Sequence, residues 1–239
     1  MKIFETDFRF SKTLHMKYAL HVPEAAQRSP QDKWPTILFL HGLGESGDDA
    51  SAVLREGLPR HVTQHPDFPF IVVAPQCPWN TWWPELADYL DQLLLHCETT
   101  LPIDKQRLYL SGISMGGFGS WYLGTLWPGR FAAVAPICGG GLVFHGFPKR
   151  VERLKDTPVW AFHGAKDDII PLAETQILVD ALTKCGGTVD LTVYPNAGHD
   201  SWTETYNNPE LYSWFLSHRA EELRSRPRNE DAIFLTNIK

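Results

Sequence analysis

The sequence predicts an α/β protein: a mostly parallel central sheet with helices on both faces, no large cap, and a single domain over residues 1–218. Three observations carry this. Short continuous apolar runs recur along the chain, as expected for strands buried on both faces. Helix-length segments with apolar residues at three- and four-residue spacing lie between them. Alternation of the two implies βαβ units, whose right-handed crossovers put helices on both sides of the sheet. The spacings leave no room for a large cap, since the longest candidate insertion is "GGGLVFHGFPKRVERLKDT", Gly139 to Thr157.

The elements follow in order. From Lys2 to Val22 apolar and polar residues alternate ("IFETDFRF", then "LHMKYALHV"), which reads as two half-buried strands in a hairpin. A polar loop, "PEAAQRSPQDKWP", follows. Buried-type strands are then expected at "TILFL", "FIVVA", "RLYLS", "FAAVA", "VWAFH" and "VDLTVY". Helices are expected over Pro84 to Leu101, Met115 to Leu126, Pro171 to Cys185 and Pro209 to His218. Beyond His218 the segment "RAEELRSRPRNEDA" is charged and carries a proline, so residues 219–239 read as a tail.

Composition narrows the partners. The 239 residues are 43% hydrophobic, enough for one sizeable closed core. With a formal net charge of -6 and no Lys/Arg-rich run, the chain lacks the basic footprint of a nucleic-acid binder. No stretch approaches the roughly 18 apolar residues of a membrane span, and "MKIFETDFRF" has no apolar signal-peptide core, so a cytoplasmic location is expected. Cys77, Cys97, Cys138 and Cys185 are scattered without a CxxC pair, which argues for reduced thiols and against a zinc or redox motif.

In sheets of this kind ligands bind at the carboxyl ends of the strands, so the loops there are where chemistry is sought. "RLYLSGISMGGFGSW" places Ser114 between Gly112 and Gly116, just where a strand stops and a helix starts. Gly112, Gly116 and Gly117 supply the missing side chains that a sharp strand-to-helix turn requires, and such an elbow exposes the serine oxygen at a helix N-terminus. A serine hydroxyl attacks only when a base takes its proton, normally a histidine oriented by a carboxylate. After an elbow serine the acid and then the histidine follow in chain order.

That order restricts the base to His163, His199 or His218. His218 falls in a helix end, and His163 has no acid on a strand-end loop between it and Ser114. His199, in "YPNAGHDSW" after the strand "VDLTVY", is the candidate base. The acid should come from "FHGAKDDIIP", where Asp167 and Asp168 compete on spacing alone. For the oxyanion, the backbone N–H groups of Met115, after the serine, and of Leu43, in the glycine loop "HGLGESGDD", occupy the required places. That loop lacks the G-x-x-x-x-G-K-[ST] pattern of a phosphate cradle. His61 and His65, four apart in "RHVTQH", lack the glutamate of a metalloprotease helix and read as a solvated face. No metal or organic cofactor is implied. Trp82, Trp83 and Trp202, in "CPWNTWWPE" and "GHDSW", are candidate walls of a substrate pocket.

Together "HGLGESGDD", "APQCPWNTWWPE", "SGISMGGFGSWYLGTLWPGRFAAVAPICGG", "FHGAKDDIIP" and "NAGHDSW" resemble the α/β-hydrolase superfamily, specifically its phospholipase/carboxylesterase branch, near the acyl-protein thioesterases and dienelactone-hydrolase-like esterases. The likeness runs from Thr36 to His218. It implies an α/β-hydrolase fold and a serine carboxylester hydrolase working through an acyl-enzyme on short- to medium-chain or small aromatic esters. It also makes Asp167, the first aspartate of H-G-x-x-D, the acid, and puts an oxyanion N–H on Leu43. Met115 stands where thioesterases of this type usually show glutamine, and Ser114 replaces the cysteine of true dienelactone hydrolases. A peptidase of the prolyl oligopeptidase type, an acyl-protein thioesterase and a non-catalytic binding protein on the same fold are the alternatives.

Overall fold

A computed structural model describes residues 15–29 and 31–220. Strand β1, Tyr18–His21, is followed by a short helix α1, Glu24–Arg28, and by β2, Trp34–Leu40. Helix α2, Gly57–Gln64, leads into β3, Ile71–Pro75, and α3, Ala87–Thr100, into β4, Ile103–Ile113. Helix α4, Met115–Leu126, precedes β5, Ala133–Ile137, and β6, Val159–Gly164. The remainder comprises α5, Leu172–Lys184, β7, Val189–Tyr194, α6, Trp202–Asn207, and α7, Pro209–Ser217.

The strands form one seven-stranded sheet in the order β1-β3-β2-β4-β5-β6-β7. All neighbours are parallel except β1, which runs antiparallel to β3 with Tyr18 opposite Pro75. Of the expected Lys2–Val22 hairpin the second strand is seen as β1, and it pairs with β3. Its first strand lies outside the described residues, as does nearly all of the 219–239 tail. An antiparallel edge strand on a parallel sheet is a common arrangement, because an edge needs a partner on one side only.

Alternation along each strand builds two cores from one sheet. In β2, Leu38 and Leu40 point to one face, packed with Leu90 and Leu94 of α3, Trp121 of α4 and Leu178 of α5. Ile37 and Phe39 point to the other, with Leu58 and Val62 of α2, Tyr206 of α6 and Leu211 and Phe215 of α7. Because successive side chains face opposite ways, a strand covered on both sides must be apolar throughout, and "TILFL" is.

Four helices lie within a residue or a turn of their expected spans, with one difference worth its reason. Pro84 sits in a 3-10 turn, Trp83–Leu86, and the α-helix begins only at Ala87. Proline has no amide to give, so it is tolerated in the opening turn and not beyond it. The expected strand at "RLYLS" is the middle of an eleven-residue β4, which pairs with β2 and, over Tyr109–Ile113, with β5. Among the described residues no helix is long and apolar enough to cross a membrane.

Candidate active site

Ser114 lies between β4 and α4 with φ 52° and ψ -116°, a left-handed backbone that a residue with a side chain adopts only when its surroundings enforce it. The surroundings do. A Cβ on Gly116 would lie 1.9 Å from the Leu40 carbonyl oxygen, and one on Gly117 2.4 Å from that of Ile137. Only glycine lets α4 start so close to the ends of β2 and β5. The Ser114 amide donates to the Ile137 carbonyl at 3.0 Å, and the Ser114 carbonyl accepts from Phe118 at 3.0 Å, so the turn is tied to both β5 and α4.

Asp167 comes from the loop after β6. Its side chain is 0% exposed, and its Oδ1 accepts the backbone amides of Ile169 and Ile170, each at 2.9 Å. Its Oδ2 lies 2.8 Å from Nδ1 of His199, which stands on the loop after β7. An ionised carboxylate can only accept, so Nδ1 carries the ring hydrogen and Nε2 is left with its lone pair. That Nε2 lies 2.9 Å from Ser114 Oγ. Three loops far apart in sequence thus deliver a serine, a histidine and an aspartate in one hydrogen-bonded row. Asp168, the competing aspartate, faces solvent.

The glycine loop after β2 closes on the same point. A Cβ on Gly42 would sit 3.6 Å from the Ser114 Cβ, which brings Leu43 beside the serine. Leu43 opens a one-turn 3-10 helix, Leu43–Glu45, and Met115 opens α4. First-turn amides have no helical carbonyl behind them, so both N–H groups are available to a ligand oxygen. The loop is held by His41, which is buried. Its Nδ1 donates to the Gly42 carbonyl at 2.6 Å, while its Nε2 accepts the Cys77 amide at 2.9 Å. Both roles need a neutral ring, and burial lowers its pKa to about 4.

The tryptophans divide. Trp202 stacks edge-on with His199 at 5.5 Å between centroids, and its Nε1 donates to Glu56. Trp82 is 40% exposed and meets Phe118 and Phe144 edge-on. Trp83 departs from the expectation of a pocket wall. It is 0% exposed, donates to the His41 carbonyl at 3.0 Å and packs against that ring, so it belongs to the core beneath the glycine loop. An indole with a carbonyl to bond can be buried whole, and the neighbouring residue on an irregular turn then faces outward.

Other polar residues near the site or singled out above have structural roles. Asp200, beside His199, accepts the Thr203 amide at the start of α6, and His61, half-buried, is stacked on the exposed His65 and on Tyr212. All four cysteines are free thiols. Cys138 lies with Asp167 and His199 in a set whose donor atoms are within 4.8 Å of one another, but burial pushes its thiol up to about 12, disfavouring the thiolate that a metal takes. Sequence reasoning set His163 aside for want of an acid before it. In the structure its Nε2 stands 3.2 Å from Asp167 Oδ2, and the signal was the four-residue spacing of the two in "HGAKD".

Residues 84–208 match the model of a family described as phospholipase/carboxylesterase. Over 208 residues the chain is 24% identical to acyl-protein thioesterase 1 of Gibberella zeae, covering 74% of this chain and 88% of that protein. It is 25% identical over 215 residues to a poly(3-hydroxyoctanoate) depolymerase of Pseudomonas fluorescens, covering 79% and 76%. Among solved structures, a thermostable esterase superposes with a TM-score of 0.71 at 33% identity over 85% of this chain. This chain spans 59% of the length of that esterase. With more than half of its length matched by the family's model, and with the sheet and helices of that fold, the chain belongs to the phospholipase/carboxylesterase family.

Proposed function

We propose that the protein is a serine carboxylester hydrolase acting through an acyl-enzyme, with Ser114 as nucleophile, His199 as general base and acid, and Asp167 as the orienting carboxylate. Family membership makes it a hydrolase of the esterase or thioesterase kind. The observation that supports the finer reading is the row itself: 2.9 Å from Ser114 Oγ to His199 Nε2 and 2.8 Å from Nδ1 to Asp167.

The steps follow from the proton positions. Ser114 Oγ attacks the ester carbonyl as its hydrogen passes to His199 Nε2, and the carbonyl oxygen becomes an oxyanion between the amides of Leu43 and Met115. Asp167 stabilises the imidazolium so formed. Collapse of the tetrahedral species breaks the bond to the alkoxy group, which leaves with the proton from Nε2. Water, deprotonated by the same nitrogen, then hydrolyses the acyl-serine, and the proton returns to Ser114. The exposed edge of Trp82 with Phe118, one helical turn from Ser114, offers an apolar wall for a short acyl chain or a small aromatic group.

Hydrolysis of p-nitrophenyl butyrate tests this. Ser114→Ala should lower kcat by at least about a thousandfold and abolish labelling by a fluorophosphonate, while Asp167→Asn falls by a comparable factor and Asp168→Asn stays near wild type. Wild-type turnover by Ser114→Ala would end the proposal. The similarity to acyl-protein thioesterase 1 supports a second reading, thioester cleavage by the same groups. Matched thioester and oxyester substrates separate the two by kcat/KM.

A further inference from the structure

His163 closes β6 with a ring that is 0% exposed, and the steps above make no use of it. Everything its nitrogens face is an acceptor. Thr175 gives its one hydroxyl hydrogen to the Gly139 carbonyl at 2.6 Å, so its oxygen, 2.8 Å from His163 Nδ1, is left to accept. On the other side, Nε2 lies 2.9 Å from the Ile170 carbonyl and 3.2 Å from Asp167 Oδ2. Each ring nitrogen is therefore placed to donate.

Asp167 gives the same count from its own side. Oδ1 takes the amides of Ile169 and Ile170, and Oδ2 takes His199 Nδ1 and faces His163 Nε2. A carboxylate offers about four acceptor positions, and here three take hydrogen bonds while the fourth faces His163 Nε2. Without His163 the two amides still hold Oδ1, but Oδ2 can swing about it, and His199 moves with it, because Nδ1 follows the oxygen it bonds.

We propose that His163 is a positioning residue for the hydrolysis. Through an Nε2–H that bonds the Ile170 carbonyl and faces Asp167 Oδ2, the oxygen that holds His199, it fixes the plane of the carboxylate and hence the aim of the His199 Nε2 at Ser114. The inference rests on the roles assigned above to Ser114, Asp167 and His199. A group that acts only through the base affects the chemical step and not substrate binding, so kcat falls while KM stays. A misplacement of about 1 Å at a reacting group can cost on the order of a hundredfold.

Two amide variants separate positioning from support. In His163→Gln the side-chain nitrogen reaches the place of Nε2 and can still donate to Asp167. In His163→Asn it reaches only the place of Nδ1 and serves Thr175 alone. With p-nitrophenyl butyrate, His163→Asn should lose about 30- to 100-fold in kcat with KM within about twofold, and His163→Gln should recover to within about fivefold of wild type. The proton NMR signal of His199 Nδ1–H, far downfield because it bonds a carboxylate, should move upfield in His163→Asn and return in His163→Gln. Equal kcat in the two variants, or an unmoved His199 proton in His163→Asn, overturns the proposal. Should His163→Asn fail to fold, His163→Ala, which has no donor, is read in its place, and an unmoved His199 proton there overturns the proposal as well. Ser114→Ala is assayed alongside. If it stays active, the parent reading fails, whereas an inactive Ser114→Ala with equal kcat in the two His163 variants removes this inference alone.

Discussion

At the scale of single residues the site depends on protonation states imposed by burial. His41 shows how this couples to stability. Its ring must be neutral to donate at Nδ1 and accept at Nε2, and desolvation lowers its pKa from 6.5 to about 4 in the fold. Between those values the unfolded chain binds a proton that the folded one refuses, so stability falls as pH drops from about 6.5 towards about 4. Fully developed, a shift of this size is worth about 3 kcal/mol. Denaturant unfolding at pH 7 and pH 4.5 should show that loss in the wild type and a smaller one in His41→Asn. An identical pH slope in the two would mean that His41 is not responsible.

At the scale of elements the contact between β2, β4 and α4 decides whether a serine can stand where Ser114 does. A Cβ on Gly116 meets the Leu40 carbonyl oxygen at 1.9 Å and the Leu40 carbonyl carbon at 2.5 Å, both of them backbone, which cannot swing aside. Gly116→Ala should therefore force α4 off the sheet, at about 3 kcal/mol or more, and remove activity with it. Gly44, on the loop after β2, has nothing within 4 Å of a Cβ, and Gly44→Ala should change stability by no more than a few tenths of a kcal/mol. Thermal melts of the two variants test the contrast, and similar melting temperatures would refute it.

At the scale of the whole molecule the sheet separates its two ends. The described chain closes with the Ala220 amide donating to the Gln106 carbonyl and Arg219 reaching Asp104 and Gln106, all near the start of β4. Ser114 follows the other end of that strand. From Gln106 to Ser114 an extended chain covers about 25 Å, so the described chain ends far from the site. Removal of residues 221–239 should leave kcat/KM for p-nitrophenyl butyrate within about twofold. A large loss in a truncated protein of unchanged melting temperature would show that those residues reach the site.

Much of this was legible because its causes are local. Runs such as "TILFL" are apolar throughout only when both faces of a strand are covered, which is why the parallel sheet could be read from them. The glycines around Ser114 announce a tight strand-to-helix turn, and the chain order of elbow serine, acid and histidine narrowed the base to His199. Short helices escaped the same reading: α1 and α6 have five and six residues, too few for a helical period to repeat, and tertiary packing holds them instead.

What the sequence by itself determined is the class of sheet, the position of the elbow and the loops that could meet it, since these follow from periodicity and backbone sterics. Between neighbours with identical chemistry spacing left the choice open, the family resemblance favoured Asp167 over Asp168, and only the tertiary structure shows where each side chain stands. Asp167 and Asp168 differ by one residue, yet one is buried against two amides and two imidazoles while the other faces water. Trp82 and Trp83 divide in the same way between the surface and the core. A one-residue step in a loop follows no fixed period, so which side chain turns inward depends on the donors and cavities that distant segments bring. The neighbours of His163 are hidden from the sequence in the same way, because the fold of the loop that follows it brings Asp167 and the Ile170 carbonyl to its ring.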